Sequence, residues 1–249
     1  MKFKINIAFS ILLIISYFLF EDHSTKSISI FVILFILTQI QIVLGFMRIQ
    51  NNHFIKAVHS LSYPKEKKYI CLTFDDGPHP SQTPLVLDIL KTKQVPSIFF
   101  LIGKNCVEHE AIVKRIYTEG HIVGNHSYVH HIAFDFWMSK KVKEDLNKTN
   151  TIIEKIIGQK PILFRPPFGV TNPSMAKAVK SLSLKTIGWN LRSFDTVANN
   201  EEKLLKKLKE KTKPNAIILL HDRCEITARV LTQYIDFCLD SGYTFVNTV

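Results

Sequence analysis

From residue 68 onward the chain alternates short apolar runs with longer segments whose apolar residues recur at helical spacing. The runs fall near 69–75, 97–102, 121–126, 162–165, 184–190, 216–221 and 243–247. They are strand-sized and bounded by turn residues, which reads as buried strands. Between them, near 82–93, 108–119, 139–157, 174–182, 200–212 and 226–240, the pattern is amphipathic and helical. Strand and helix in regular alternation predict an α/β fold of parallel strands with outer helices.

The first 47 residues follow a different pattern. Residues 3–20 are apolar apart from Lys4 and a few small polar positions, residues 21–27 are polar, and residues 28–47 form a second apolar run of about membrane-spanning length. No small-residue cleavage signal follows Phe20, so a transmembrane hairpin is expected in preference to a cleaved leader. Lys2 and Lys4 precede the first span, Glu21 and Asp22 lie between the two, and Arg48, Lys56, Lys65, Lys67 and Lys68 follow. That charge bias puts both ends of the hairpin on the cytoplasmic side of an inner membrane. The expected organisation is an anchor over 1–47, a linker over 48–67 and one catalytic domain over 68–249.

Composition changes this picture little. Of 249 residues, 46% are hydrophobic, which excludes global disorder and allows a substantial core. The net charge of +11 comes without a nucleic-acid-binding motif, so nucleic acid is not an expected partner. The basic stretch 203–213, with Leu204, Leu205 and Leu208 on one stripe, reads as an outer helix whose leucines meet the core, or as a helix resting on anionic lipid. Cys71, Cys106, Cys224 and Cys238 lack paired spacing and are expected to be free thiols.

Chemistry concentrates where apolar runs end. Asp75 and Asp76 close the run Tyr69-Ile70-Cys71-Leu72-Thr73-Phe74, and Gly77-Pro78 then turns the chain. Neighbouring side chains of an extended chain point to opposite sides, so one acid can bind a cation while the other handles a proton. His126 and His130 follow a second run and would share a face if helical. Asp76, His126 and His130 would make an open three-ligand site for a borderline-soft divalent metal, zinc above all. His79 and His131 lie nearby, and spacing alone does not choose among these histidines.

Three further segments follow later runs: Phe164-Arg165-Pro166-Pro167-Phe168-Gly169, the stretch from Gly188-Trp189 to Asp195-Thr196, and Ile217-Ile218-Leu219-Leu220-His221-Asp222. In this order the five segments resemble the polysaccharide deacetylase family, that is, NodB-like domains of carbohydrate esterase family 4. The resemblance covers residues 68–249 and implies a distorted, incomplete (β/α) barrel. It implies that Asp75 is the catalytic base, that Asp76, His126 and His130 hold one divalent metal, and that His221 is the general acid. It further implies that Arg165 orients the base and Asp195 holds that arginine, that the Phe168 N–H stabilises an oxyanion, and that Leu219 walls a pocket. Thr196 stands where the family commonly has a groove-lining Trp, Phe168 where it commonly has Tyr, and Arg192 where an acid is frequent.

The expected activity is metal-dependent removal of an N-acetyl group from an amino sugar of a glycan such as peptidoglycan or a chitin-like oligosaccharide. Two alternatives are deacylation or deformylation of a lipid-linked sugar at the cytoplasmic membrane face, and a catalytically silent glycan-binding protein on the same fold. Expected partners are the glycan or glycolipid and membrane lipid.

Overall fold

The computed structural model describes residues 2–19 and 25–249. Two apolar helices, α1 (Lys2–Leu19) and α2 (Thr25–Met47), come first and pack on one another, with the Tyr17 and Phe31 ring centroids 4.6 Å apart. Among the described residues, only α2 is long and apolar enough to cross a bilayer; the apolar part of α1, Ile5–Leu19, is shorter. Two helices thus lie where the hairpin is expected, and one of them reaches spanning length. The acids Glu21 and Asp22 expected between them lie outside the described residues.

The remainder follows the predicted alternation: β1 (Ala57–Val58), β2 (Tyr69–Asp75), α3 (Gln82–Lys93), β3 (Ser97–Leu101), α4 (Gly103–Glu108), α5 (Glu110–Thr118), β4 (Ile122–Asn125), α6 (Ser139–Ile157), β5 (Leu163–Phe164), α7 (Pro173–Ser181), β6 (Lys185–Ile187), β7 (Leu191–Arg192), α8 (Glu201–Lys211), β8 (Ala216–His221), α9 (Glu225–Asp240) and β9 (Thr244–Phe245). All strand ladders are parallel, in the order β1-β6-β5-β4-β3-β2-β8-β7, with β9 added beside the start of β2. β6 and β7 sit near opposite ends of this order yet are separated in sequence only by Gly188-Trp189-Asn190. One stretch of chain, expected as a single strand over 184–190, therefore leaves β5 and joins β8, curling the sheet into the incomplete (β/α) barrel.

Side-chain parity sets the two sides of this sheet. In β2, Ile70, Leu72 and Phe74 face the outer helices and pack with Val86, Leu90 and Tyr234. Cys71 faces the interior with Ile98, Phe100, Ile217 and Leu219. Thr73 and Asp75 share that inward parity, which is why a carboxylate reaches the barrel's mouth. The leucine stripe of α8 is spent on the core, Leu204 and Leu208 being buried, so the lipid-facing option for that helix is not taken.

The segment 48–67, expected as a linker, is packed. Ile49, Ala57 and Leu61 are buried with the barrel interior, and β1 pairs with β6. Gln50 Nε2 donates to the Trp189 carbonyl at 3.0 Å and the Thr171 N–H to Phe46 O at 3.1 Å, tying the end of α2 to loops at the barrel mouth. Cys71, Cys106 and Cys238 are buried free thiols and Cys224 is a half-buried one.

Candidate active site

Asp75, Asp76, His126, His130, Phe168, Thr196, Leu219 and His221 line one cavity of about 180 Å³ at the C-terminal ends of the strands. Arg165 and Asp195 lie buried behind its wall. A larger apolar cavity of about 320 Å³ opens at the other end, lined by Tyr117, His121, Ile162 and neighbours without an acidic side chain. Parallel barrels build their sites at the C-terminal face, where loops of several strands converge.

Asp75 and Asp76 reach the same cavity despite strand parity because Asp76 has left the strand, with φ +74°. That left-handed turn folds its carboxylate back beside Asp75. Gly77 must be glycine here: a Cβ on it would lie 2.2 Å from Asp222 Oδ2. Ser127, His130, Phe168 and Phe194 also have positive φ. Strain of about 1–3 kcal/mol per such residue persists only where surrounding contacts enforce it, and it gathers at functional sites.

The histidines meet through a loop, not through the helical turn their spacing suggests. Buried Asn125 accepts from the Ser127 N–H at 2.8 Å, and Ser127 Oγ accepts from the His130 N–H at 3.0 Å. This brings the two rings to a centroid distance of 5.0 Å. The Nδ1–H of His126 donates to the Arg165 carbonyl at 2.8 Å, which leaves Nε2 as the free lone pair.

Asp76 Oδ1 is buried, lacks a hydrogen-bond partner, and lies 3.4 Å from the Nε2 of both His126 and His130. An orphaned carboxylate oxygen facing two imidazole lone pairs is the donor set a divalent cation takes, so these residues fit a metal. The spacing had left His79 and His131 open, but among the described residues the grouped donors are Asp76, His126 and His130. Burial would raise the Asp76 carboxyl, yet the neighbouring imidazoles and the bond from Arg223 hold it well below the usual range. Burial above all presses His130 down to about 4, keeping its ring neutral at neutral pH.

Arg165 is fully buried. Its Nη1–H donates to Asp75 Oδ1 and to Thr73 Oγ1, both at 2.7 Å, while Nε and Nη2 are taken by the carbonyls of Ile187 (3.2 Å) and Gly188 (2.8 Å). The arginine's hold on Asp75 is as expected. The expected Arg165–Asp195 pair is not: four of the arginine's five N–H groups go to Asp75, Thr73 and two carbonyls, and Asp195 is bonded elsewhere. Asp195 accepts instead from His221 Nδ1–H, the His221 N–H and Thr227 Oγ1, each at 2.7 Å. Burial would lower His221, but the bond to Asp195 holds its imidazole above the ordinary value. Burial would likewise raise Asp195, whose bonds to His221 and Thr227 keep it low.

Two further residues belong to the site. Arg223 Nε donates to Asp76 Oδ2 at 2.8 Å, which leaves Oδ1 as the open donor. Asp222 is buried beneath Gly77, accepts from Thr83 Oγ1 at 2.5 Å, and burial pushes it up to about 7. Both directly follow His221, the position that could have flagged them.

Residues 62–187 match the family model described as polysaccharide deacetylase. The chain is 34% identical over 184 residues to the peptidoglycan-N-acetylmuramic acid deacetylase PdaA of Bacillus subtilis, covering 72% of this chain and 70% of that protein. It is 35% identical over 182 residues to the peptidoglycan-N-acetylglucosamine deacetylase PgdA of Listeria monocytogenes, covering 73% of this chain but only 38% of that longer protein. Among solved structures, a mutant of BA3943, a CE4 family pseudoenzyme from Bacillus anthracis, with restored enzymatic activity superposes with a TM-score of 0.68 at 32% identity, over 73% of this chain and 66% of that one.

Proposed function

Because the chain belongs to the polysaccharide deacetylase family, we propose that it is a membrane-anchored hydrolase that removes the N-acetyl group from an amino sugar of a glycan, peptidoglycan foremost. The observation that carries this reading is the orphaned Asp76 Oδ1 between two imidazoles, with Asp75 and His221 lining the same cavity. Asp76, His126 and His130 would hold one divalent ion, zinc by donor type. When bound, that ion supplies charge to polarise the amide carbonyl and to acidify water.

The protein's own groups do the rest. Asp75, oriented through Oδ1 by Arg165, takes a proton from the attacking water. The new C–O bond leaves negative charge on the former carbonyl oxygen, and the Phe168 N–H is the proposed donor to it. His221, protonated through Asp195, gives its proton to the leaving nitrogen as the C–N bond breaks, releasing acetate and the free amino sugar. Leu219 offers an apolar wall for the acetyl methyl, and Thr196 leaves the groove wider than a large aromatic residue would.

The test is acetate release from peptidoglycan and chitooligosaccharides by the full chain, with and without chelator. Chelator-sensitive release supports the reading; no release from any amino-sugar substrate favours a silent glycan-binding protein. A second reading, deacylation of a lipid-linked sugar at the cytoplasmic face, is favoured by the lysines flanking α1 and α2. A cysteine engineered at Lys213, after replacement of the native cysteines, separates the two. Its labelling in intact cells by a membrane-impermeant reagent supports the outward, cell-wall reading, and its protection supports the cytoplasmic one.

A further inference from the structure

The loop that leaves the site at His130 carries an apolar surface that the proposed chemistry does not use. Ile132 is 82% exposed, Phe136 87% and Met138 75%, although Phe134 between them is fully buried against Val142, Phe164 and Met175. The loop is ordered by its own bonds, from the Phe134 N–H to His131 O (2.9 Å), the Phe136 N–H to Ala133 O (3.0 Å) and the Trp137 N–H to Phe134 O (3.2 Å). A core anchor thus holds three large apolar side chains out into solvent, none of them lining the catalytic cavity. Clustered exposed apolar residues of this kind mark an interaction surface.

Its position in the fold indicates what covers it. Phe46, in the last turn of α2, packs on Phe54 with ring centroids 4.6 Å apart, and Phe54 packs on the cluster that contains Phe134. Asn172, which directly follows the Thr171 bonded to Phe46 O, donates from Nδ2 to the Asp135 carbonyl at 2.7 Å. The end of the helix of membrane-spanning length and the apolar loop are therefore joined through two short chains of contacts, one by way of Phe54 and one by way of Thr171 and Asn172. Charge agrees: Lys140, Lys141 and Lys143 follow the loop at the start of α6, and Lys177 and Lys180 lie exposed on α7, which packs on α6. Residues 131–138 hold one acid, half-buried Asp135, whose carboxyl burial pushes up to about 6. Apolar tips backed by lysines suit an anionic bilayer interface.

We infer that Ile132, Phe136 and Met138 dip into the bilayer interface beside α2 and so hold the catalytic mouth against the membrane. This rests on the proposed anchorage. It places the site's amino sugars close to the bilayer, because His130 and the apolar tips belong to one loop.

Site-directed spin labelling of the full chain in vesicles of phosphatidylethanolamine and phosphatidylglycerol tests it. Half-buried Cys224 is replaced, and single cysteines are introduced as Ile132→Cys, Phe136→Cys and Met138→Cys. Ile36→Cys in α2 and Lys160→Cys at the far end of the barrel serve as references. The expected ratio of oxygen to nickel-chelate accessibility at the three loop positions is several-fold above that at position 160, with position 36 higher still. Aqueous values at all three loop positions with lipid values at 36 would overturn the inference and leave anchorage standing. Shielding of the loop labels from both reagents would mean that protein covers it, and overturns the inference as well. Aqueous values at 36 would remove the anchorage and the inference together.

Discussion

Replacing Asp195 with Asn removes one charge and almost no volume, and it separates the observed role of this acid from the expected one. Asp195 accepts five hydrogen bonds: three from the His221 ring, the His221 amide and Thr227, and two from Ser193 Oγ and the Thr196 N–H, at 2.8 and 3.0 Å. The contact that changes most is with the imidazole, since a hydrogen bond to a charged partner contributes about 1.5–3 kcal/mol. Losing it lowers the His221 pKa, because burial is then opposed only by the charges of Asp75 and Asp76; at 1.36 kcal/mol per factor of ten, the protonated imidazole becomes roughly ten- to a hundredfold scarcer on the alkaline side. If His221 is the general acid, the alkaline limb of the kcat/KM profile moves to lower pH, so the defect grows as pH rises. Stability gives a second readout. His221 is raised in the folded state, so its contribution is complete below its unfolded value and is lost as pH rises through its folded one. Asp195 is lowered, so its contribution is present above the unfolded carboxylate value and is lost as pH falls through the folded one. The variant should therefore lose most stability in the window between, and denaturant unfolding in mildly acidic and in alkaline buffer should show a larger deficit in the former. A uniform drop in rate with an unmoved alkaline limb would refute the argument.

Chelation should abolish acetate release and readded divalent metal should restore it, while a His126→Ala, His130→Ala double variant should retain no stoichiometric metal by elemental analysis. Asp75→Asn should lose about 10²- to 10⁴-fold in kcat and still bind metal; near-normal turnover would remove Asp75 as base. Arg165→Met strands the buried Asp75 carboxylate and should cost about 3–5 kcal/mol in urea unfolding, with a loss of rate beyond what the unfolded fraction explains.

What was legible from residues alone was whatever depends on local pattern. The run from Tyr69 to Asp75 is the observed strand end to end, and the segments 139–157 and 82–93 are the observed helices, because their periodicity and turn residues are local signals. β1 was missed because it is two residues long between Lys56 and His59, and only the open edge of β6 makes it a strand. Arg223 resembles any surface arginine until the fold sets it 2.8 Å from Asp76. The Asp195 partner was misassigned for the same reason. An acid between Arg165 and His221 in the chain can serve either, and the choice is made by carbonyls of Ile187 and Gly188 that occupy the arginine and have no side-chain signature.

That reassignment changes the logic of the site. Each of the two groups proposed to move protons has its own buried orienting partner, and the two partners share no hydrogen bond. Arg165 serves Asp75 from inside the barrel, braced by Thr73, whose hydroxyl in turn donates a hydrogen bond to the Ile218 carbonyl at 2.7 Å. Asp195 serves His221 from the turn after β7, braced by Ser193 and Thr227. Arg165 fixes the orientation of the Asp75 carboxylate, and the anion beside His221 favours its protonated form, so the acid is held in the state its proposed role requires before substrate arrives. The link that remains is through space: the Asp75 and Asp76 charges add to Asp195 in raising His221. Neutralising Asp75 should therefore lower the His221 pKa as well, by less than loss of Asp195 does. Asp75→Asn would then damage the base directly and the acid indirectly, whereas Asp195→Asn would spare the base, and combining the two should cost less than the product of their separate losses.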